Sequence, residues 1–185
     1  MQYNGKEYKV LNEKVDGKIL YLALQEEDVN IREPETPTNQ ETTKTGFKFG
    51  TRSLNTLKGI HPDLVAVLTK AIATSPVDFT LTDGLRTTAQ QQALYAKGRT
   101  TSGSKVTNAD GVKNKSNHQA KSDGYGYAID LYPYYNGSVQ VNDDKTIINR
   151  IAPHIKKVAK EMGISIEWGG DWKSFKDYPH FELKK

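Results

Sequence analysis

Apolar positions recur along this chain with two periods, and the switches between them mark its elements. Leu64, Val67, Leu68, Ala71 and Ile72 fall at helical spacing and give one apolar face. His61-Pro62-Asp63 begins that helix, with Pro62 at the first helical position, where proline is tolerated. Residues 77–82 (VDFTLT) alternate as a strand, and Gly84-Leu85-Arg86 turns out of it. Thr87 or Thr88 then caps a helix running through Lys97, and Gly98 ends it. Residues 103–115 read as a polar loop and 125–132 as a second alternating strand. A helix is expected over 147–162, with Ile151, Ile155, Val158, Ala159 and Met162 on its apolar face and Gly163 as its stop. Pro153 either kinks it or marks its true start. Residues 164–168 and 178–183 are the last strands. Helices first and antiparallel strands later predict an α+β domain, a small antiparallel sheet with flanking helices.

The first 46 residues stand outside that pattern. Two short apolar stretches, 8–11 and 19–24, flank Val15-Asp16-Gly17-Lys18, which reads as a hairpin turn. Two strands alone are marginally stable, so residues 1–32 are expected to lean on the main domain or on another protein. Residues 33–46 hold two prolines, five threonines and no large apolar side chain, the composition of a linker. The main domain is expected over 47–185.

Composition narrows the partners. With 185 residues, 36% hydrophobic and 26% charged, the chain suits one domain with a real core plus an appendage. A net charge of +4 favours anionic partners: nucleic acid, an anionic membrane surface or an anionic wall polymer. The basic residues are dispersed and form no nucleic-acid motif, which argues against nucleic acid. No apolar run approaches membrane-spanning length, so no membrane insertion is expected. Met1-Gln2-Tyr3-Asn4-Gly5-Lys6 opens without an apolar stretch, so no signal peptide is expected either.

The absence of cysteine excludes disulfides and thiolate metal sites. A hydrolytic zinc centre built here must use histidine and carboxylate ligands, keep one position open for water, and have an acidic base nearby. Of four histidines, His61 suits a capping or exposed role and His154, beside Lys156 and Lys157, a solvated helix face. His118, after Ser116-Asn117, and His180, after Pro179, remain. Asp130 lies among Ala128, Ile129 and Leu131, where a carboxylate is costly unless paired or metal-bound. A strand-end aspartate at the surface is the plainer alternative. Asp177 stands three residues before His180, a spacing that can point both into one cleft, or that only helps the turn before Pro179.

These residues resemble the zinc peptidases of the D-alanyl-D-alanine carboxypeptidase and L-alanyl-D-glutamate endopeptidase type, many of them phage endolysins. The family motif S-x-H-x-x-G-x-A-x-D is similar to Ser116-Asn117-His118 with Gly126-Tyr127-Ala128-Ile129-Asp130. The paired aspartate and histidine are similar to Asp177-Tyr178-Pro179-His180-Phe181. An upstream block resembles Gly84-Leu85-Arg86-Thr87, Gln91 and Leu94-Tyr95. The matches keep the family's order across residues 50–183.

The resemblance implies a fold of the D-Ala-D-Ala carboxypeptidase (Hedgehog-like) type, with zinc held by His118, Asp130 and His180 and Asp177 as general base. It implies that Arg86 stabilises the oxyanion or a substrate carboxylate. Ser116 is expected to bind substrate or orient His118, and Gln91 to support the site or sit on a helix surface. Trp168, and with it Trp172, is expected to line the cleft, with core packing the safer role for at least one. The implied substrate is the peptidoglycan stem peptide, cut at the L-alanyl-D-glutamate bond. A D-alanyl-D-alanine carboxypeptidase or dipeptidase, and a non-enzymatic zinc-binding module, are the rivals. The enzyme is expected to be a monomer made in the host cytoplasm, reaching the wall by holin-assisted release or on a virion. Residues 1–46 are then a candidate wall or virion contact. One departure stands out: the motif puts the aspartate seven positions after the histidine, but Asp130 comes twelve after His118. Five residues are inserted within Gln119–Tyr125, and Asp123 in that stretch is a competing ligand.

Overall fold

An antiparallel sheet organises the domain. In the computed structural model its strands are β3 (Phe79–Asp83), β4 (Ala128–Tyr135), β5 (Ser138–Val139), β6 (Ile166–Trp168) and β7 (His180–Leu183). The order across the sheet is β3-β4-β7-β6, and β5 pairs with the end of β4. The structure describes residues 46–184 and the backbone of two short antiparallel strands, β1 (Gln2–Tyr3) and β2 (Lys6–Glu7). The hairpin expected around Asp16-Gly17 lies outside the described residues. By its contacts the chain divides into two units, Met1–Gln40 and Glu41–Lys185.

Alternation gives each strand of the second unit two faces with different tasks. Phe79, Leu81, Ile129, Leu131, Phe181 and Leu183 point to one side and are buried. There they meet Leu64, Val67, Leu68, Ala71 and Ile72 of α2 (Pro62–Thr74), and Ile155, Val158 and Ala159 of α5 (Ala152–Glu161). The apolar faces read from the sequence are the faces buried in this core. The opposite side of β4 and β7 carries Asp130, His180 and Glu182.

Local signals placed the helix starts. His61 caps α2, its Nδ1 accepting from the Asp63 N–H at 3.2 Å. Thr87 caps α3 (Thr88–Ala96) in a reciprocal box with Gln90. Gly98 takes the left-handed φ of +67° just beyond α3.

Several expected bounds shift, each for a physical reason. β4 begins at Ala128 rather than Tyr125, because the residues before it bond elsewhere. Gly126 N–H donates to Gly59 O at 2.8 Å and Tyr127 N–H to Asn117 O at 2.7 Å. At its far end β4 runs on to Tyr135 and turns through Asn136-Gly137, both at positive φ, into β5. That dipeptide is a strong hairpin signal that the pattern reading passed over. The helix expected from Ile147 starts three residues earlier as α4 (Asp144–Thr146), capped by the Asp143 side chain. It continues into α5 through a wide turn, Ile147–Ile151, in which Ala152 N–H reaches Ile147 O. Pro153 then sits at the start of α5, where its missing N–H is tolerated. A six-residue helix, α1 (Thr51–Thr56), was not foreseen. Its buried Ser53 accepts from the Leu81 N–H at 3.1 Å and so covers part of the edge of β3.

Candidate metal centre

Strand pairing makes the first contact of the site. Asp130 on β4 stands directly opposite His180 on β7, and the His180 Nδ1–Asp130 Oδ1 distance is 3.1 Å. His118 arrives from the loop before β4. That loop is pinned by Tyr127 N–H on Asn117 O, by Arg86 N–H on His118 O at 2.9 Å, and by His118 N–H on Ser116 Oγ at 3.2 Å. The His118 Nε2 lies 3.2 Å from both Asp130 Oδ1 and His180 Nδ1.

The outer nitrogens of both rings have partners that set their tautomers. His118 Nδ1 is 2.8 Å from Gly84 O, a carbonyl that can only accept, so Nδ1 carries the hydrogen. His180 Nε2 is 2.8 Å from Glu182 Oε2, and donates to it. With both rings neutral, the inner atoms His118 Nε2, His180 Nδ1 and Asp130 Oδ1 are three acceptors facing one another with no hydrogen between them. A cation satisfies all three. Ligands about 2.0–2.1 Å from a tetrahedral zinc stand roughly 3.3 Å apart, close to these separations. The donor set, two imidazoles and one carboxylate, suits zinc.

Outside this triangle lies a second layer. Asp130 divides its carboxylate: Oδ1 faces the histidines and Oδ2 accepts from Arg86 Nη2 at 2.8 Å. Arg86 is itself held by Asp83 through Nε at 2.9 Å and by Gln91 Oε1 through Nη1 at 3.3 Å. Gln91 is fully buried, and its amide nitrogen donates to Thr107 Oγ1 and Ala109 O. On the other side, Asn117 hydrogen-bonds Glu182 and accepts from Lys121 Nζ. Gly84 admits no side chain, because a Cβ there would lie 2.3 Å from Thr56 O.

The charges follow from this wiring. Burial works to raise the Asp130 carboxyl, but the charges and hydrogen bonds of His118 and His180 outweigh it and hold it far below the usual carboxylate range. Burial works to lower His180, but the carboxylates of Asp130 and Glu182 push it up to about 9. Asp177 is raised, first by burial and then by the nearby Asp130 charge.

A cleft of about 450 Å³ opens over the triangle, lined by Arg86, Ser116, His118, Asp177 and His180 among others. A larger concavity of about 570 Å³ along Ile166, Glu167, Lys173 and Lys184 holds none of the three. Asp177 is fixed in a tight turn: its N–H donates to Gly169 O at 3.1 Å, and its carbonyl accepts from His180 N–H at 3.2 Å.

Trp168 is not in the cleft. It pairs in register with Phe181, which points its indole to the core face, and its Nε1 donates to Tyr178 O at 2.7 Å. Trp172 takes the cleft position, its ring 5.1 Å from that of His180 and its Nε1 on Glu167 Oε1 at 2.6 Å. His154 is not a solvated side chain either. Its Nε2 lies 3.1 Å from both Ala71 O and Thr74 Oγ1, tying α5 to α2. Asp123 bonds the Tyr125 N–H and the Tyr127 hydroxyl, away from the triangle. Glu182 was missed. Its signal was the i, i+2 spacing from His180, which puts both on one face of a strand.

Residues 45–184 match the phage L-alanyl-D-glutamate peptidase family. Over 139 residues the chain is 36% identical to the L-alanyl-D-glutamate peptidase of Escherichia phage T5, covering 75% of this chain and 90% of that protein. It is also 36% identical over 120 residues to the peptidoglycan L-alanyl-D-glutamate endopeptidase CwlK of Bacillus subtilis (strain 168), covering 63% of this chain and 66% of that one. Among solved structures, the Serratia marcescens L-Ala D-Glu endopeptidase ChiX is similar at a TM-score of 0.59 and 31% identity, over 78% of this chain and 96% of that one. With most of the main domain matched, and nearly the full length of the T5 relative covered, the chain belongs to the phage L-alanyl-D-glutamate peptidase family.

Proposed function

We propose that this protein is a zinc-dependent endopeptidase that cuts the L-alanyl-D-glutamate bond of peptidoglycan stem peptides. The observation that carries it is the triangle of acceptors from His118, Asp130 and His180, with Asp177 in the same cleft. A bound zinc ion supplies Lewis acidity, which makes water nucleophilic at neutral pH and polarises a carbonyl. Asp177, whose carboxyl is raised above the ordinary aspartate value by burial, takes the proton of the attacking water on a carboxylate oxygen. It then delivers that proton to the leaving amine. Arg86 is engaged by Asp130, Asp83 and Gln91, so its first task is to hold Asp130 in position. Its Nη2 also lies 2.8 Å from Asp83 Oδ2, so of its five N–H donors one on Nη1 remains for a substrate oxygen. Ser116 orients His118 through the backbone contact.

The reading extends to the setting. The enzyme acts on the cell wall, as the relatives' names suggest, reaching it by holin-assisted release or as a virion component. Residues 1–32 serve as an appendage for wall or virion contact, joined by a linker over 33–46. None of the described helices is long and apolar enough to cross a membrane.

The test is digestion of purified peptidoglycan with mass analysis of the fragments, with and without a chelator. New D-glutamate amines that vanish on chelation and return with zinc are the expected result. Release of free D-alanine would favour a D-alanyl-D-alanine carboxypeptidase instead.

A further inference from the structure

Phe175 stands in the loop between the short helical turn Gly169–Asp171 and Asp177, and two facts about it conflict with a structural purpose. Its backbone has φ +52°, the left-handed region that aromatic side chains rarely occupy. For an L-residue that conformation is strained. Yet the ring returns nothing to the core: it is 50% exposed and is not among the side chains packed against the hydrophobic cluster.

The loop keeps its shape by other means. Lys176 Nζ donates to Gly170 O at 2.8 Å and to Trp172 O at 3.0 Å, bridging its two ends. Trp172 is anchored on Glu167 and Asp177 on Gly169. Gly169 and Gly170 are closed to any Cβ by Asp177 and by the Trp168 ring. With these contacts in place, glycine or asparagine at position 175 would suit the backbone better than phenylalanine. A strained residue held by its surroundings at the edge of a reaction site points to function. The ring lines the cleft together with Arg86, His118, Asp177 and His180.

We propose that Phe175 is a substrate-contacting residue whose ring forms an apolar wall of the cleft, against which an aliphatic group of the stem peptide packs beside the scissile bond. This rests on the endopeptidase reading above. The polar groups of the cleft can orient a peptide backbone, but they offer no surface to an alkyl side chain. Phe175 and Trp172 supply that surface on one wall. Because the contact is apolar and takes no part in the proton transfers, it holds substrate and transition state alike, and its loss falls on KM rather than kcat.

The test compares the zinc-loaded wild type with Phe175→Asn, Phe175→Gly and Phe175→Tyr on a soluble stem-peptide substrate, alongside thermal unfolding. Phe175→Asn and Phe175→Gly are expected to raise KM about tenfold, the equivalent of about 1.4 kcal/mol, with kcat within about twofold. Their Tm should be unchanged or up to about 3 °C higher, because the strain is relieved. Phe175→Tyr keeps the ring and should keep the wild-type KM. A KM for Phe175→Asn equal to wild type, or a lowered Tm in both Phe175→Asn and Phe175→Gly, overturns the proposal while leaving the endopeptidase reading intact. A wild type that cuts no L-alanyl-D-glutamate bond overturns both.

Discussion

His180 uses both of its ring nitrogens, Nδ1 toward Asp130 and Nε2 on Glu182. A carboxylate on the far nitrogen fixes the ring and makes the near nitrogen a better donor to a metal. Glu182→Gln should therefore weaken zinc affinity about 10–100-fold while leaving the fold intact, as measured by competition with a chromophoric chelator. Asp177 lines the same cleft without joining the triangle. Asp177→Ala should bind zinc like the wild type yet lose about 10²–10⁴ in turnover of the stem peptide. Full activity in that variant would remove it as the base. The types and order of these residues were legible in the sequence. Glu182 was passed over, although its i, i+2 spacing from His180 on the expected strand puts both on one face.

At the scale of elements, the decisive object is the insertion between His118 and Asp130. It leaves and rejoins the chain through a closed neck, with Lys121 N–H on Tyr125 O at 2.9 Å. The strand that follows is thereby free to keep its register, with Asp130 opposite His180. Asp123→Ala should accordingly leave zinc affinity within about twofold of wild type, whereas Asp130→Ala removes a proposed ligand and should abolish tight binding. Equal losses in the two variants, read by the same competition assay, would reverse the assignment. The insertion also touches the site indirectly, since Lys121 holds Asn117 and Asn117 holds Glu182. Helix caps were readable because a cap spans three or four residues. Strand bounds drifted because a strand ends where its partners end.

For the domain as a whole, metal and stability are coupled, since a metal that binds the folded state alone stabilises it. Without metal, His180 at about 9, up from 6.5, adds stability that is fully present below about pH 6.5 and is lost as pH rises through 9. Asp130 acts in the opposite sense, its stabilisation present above the ordinary aspartate range and lost only in strong acid. The chelated protein should therefore lose Tm between pH 6.5 and 9. Zinc competes with the proton on His180, so the rise in Tm on adding zinc should be larger at the alkaline end of that window. A chelated protein whose Tm is flat over this range would contradict the arrangement. At saturating zinc, 100–1,000 times the dissociation constant, the added stability should be about 3–4 kcal/mol.

The sequence by itself determined what depends on near neighbours. Periodicity placed α2 and α5 with their core faces, caps placed the starts of α2 and α3, and ordered motifs singled out His118, Asp130, Asp177 and His180. Tertiary structure decided what depends on distant pairing. It brought His118 within 3.2 Å of a histidine 62 residues away and put Asp130, not Asp123, beside both. It also sent Trp168 to the core and Trp172 to the cleft. The physical reason is register. In a sheet the side-chain period is two, so which residue faces the site is fixed by the partner it pairs with, and that partner lies far along the chain.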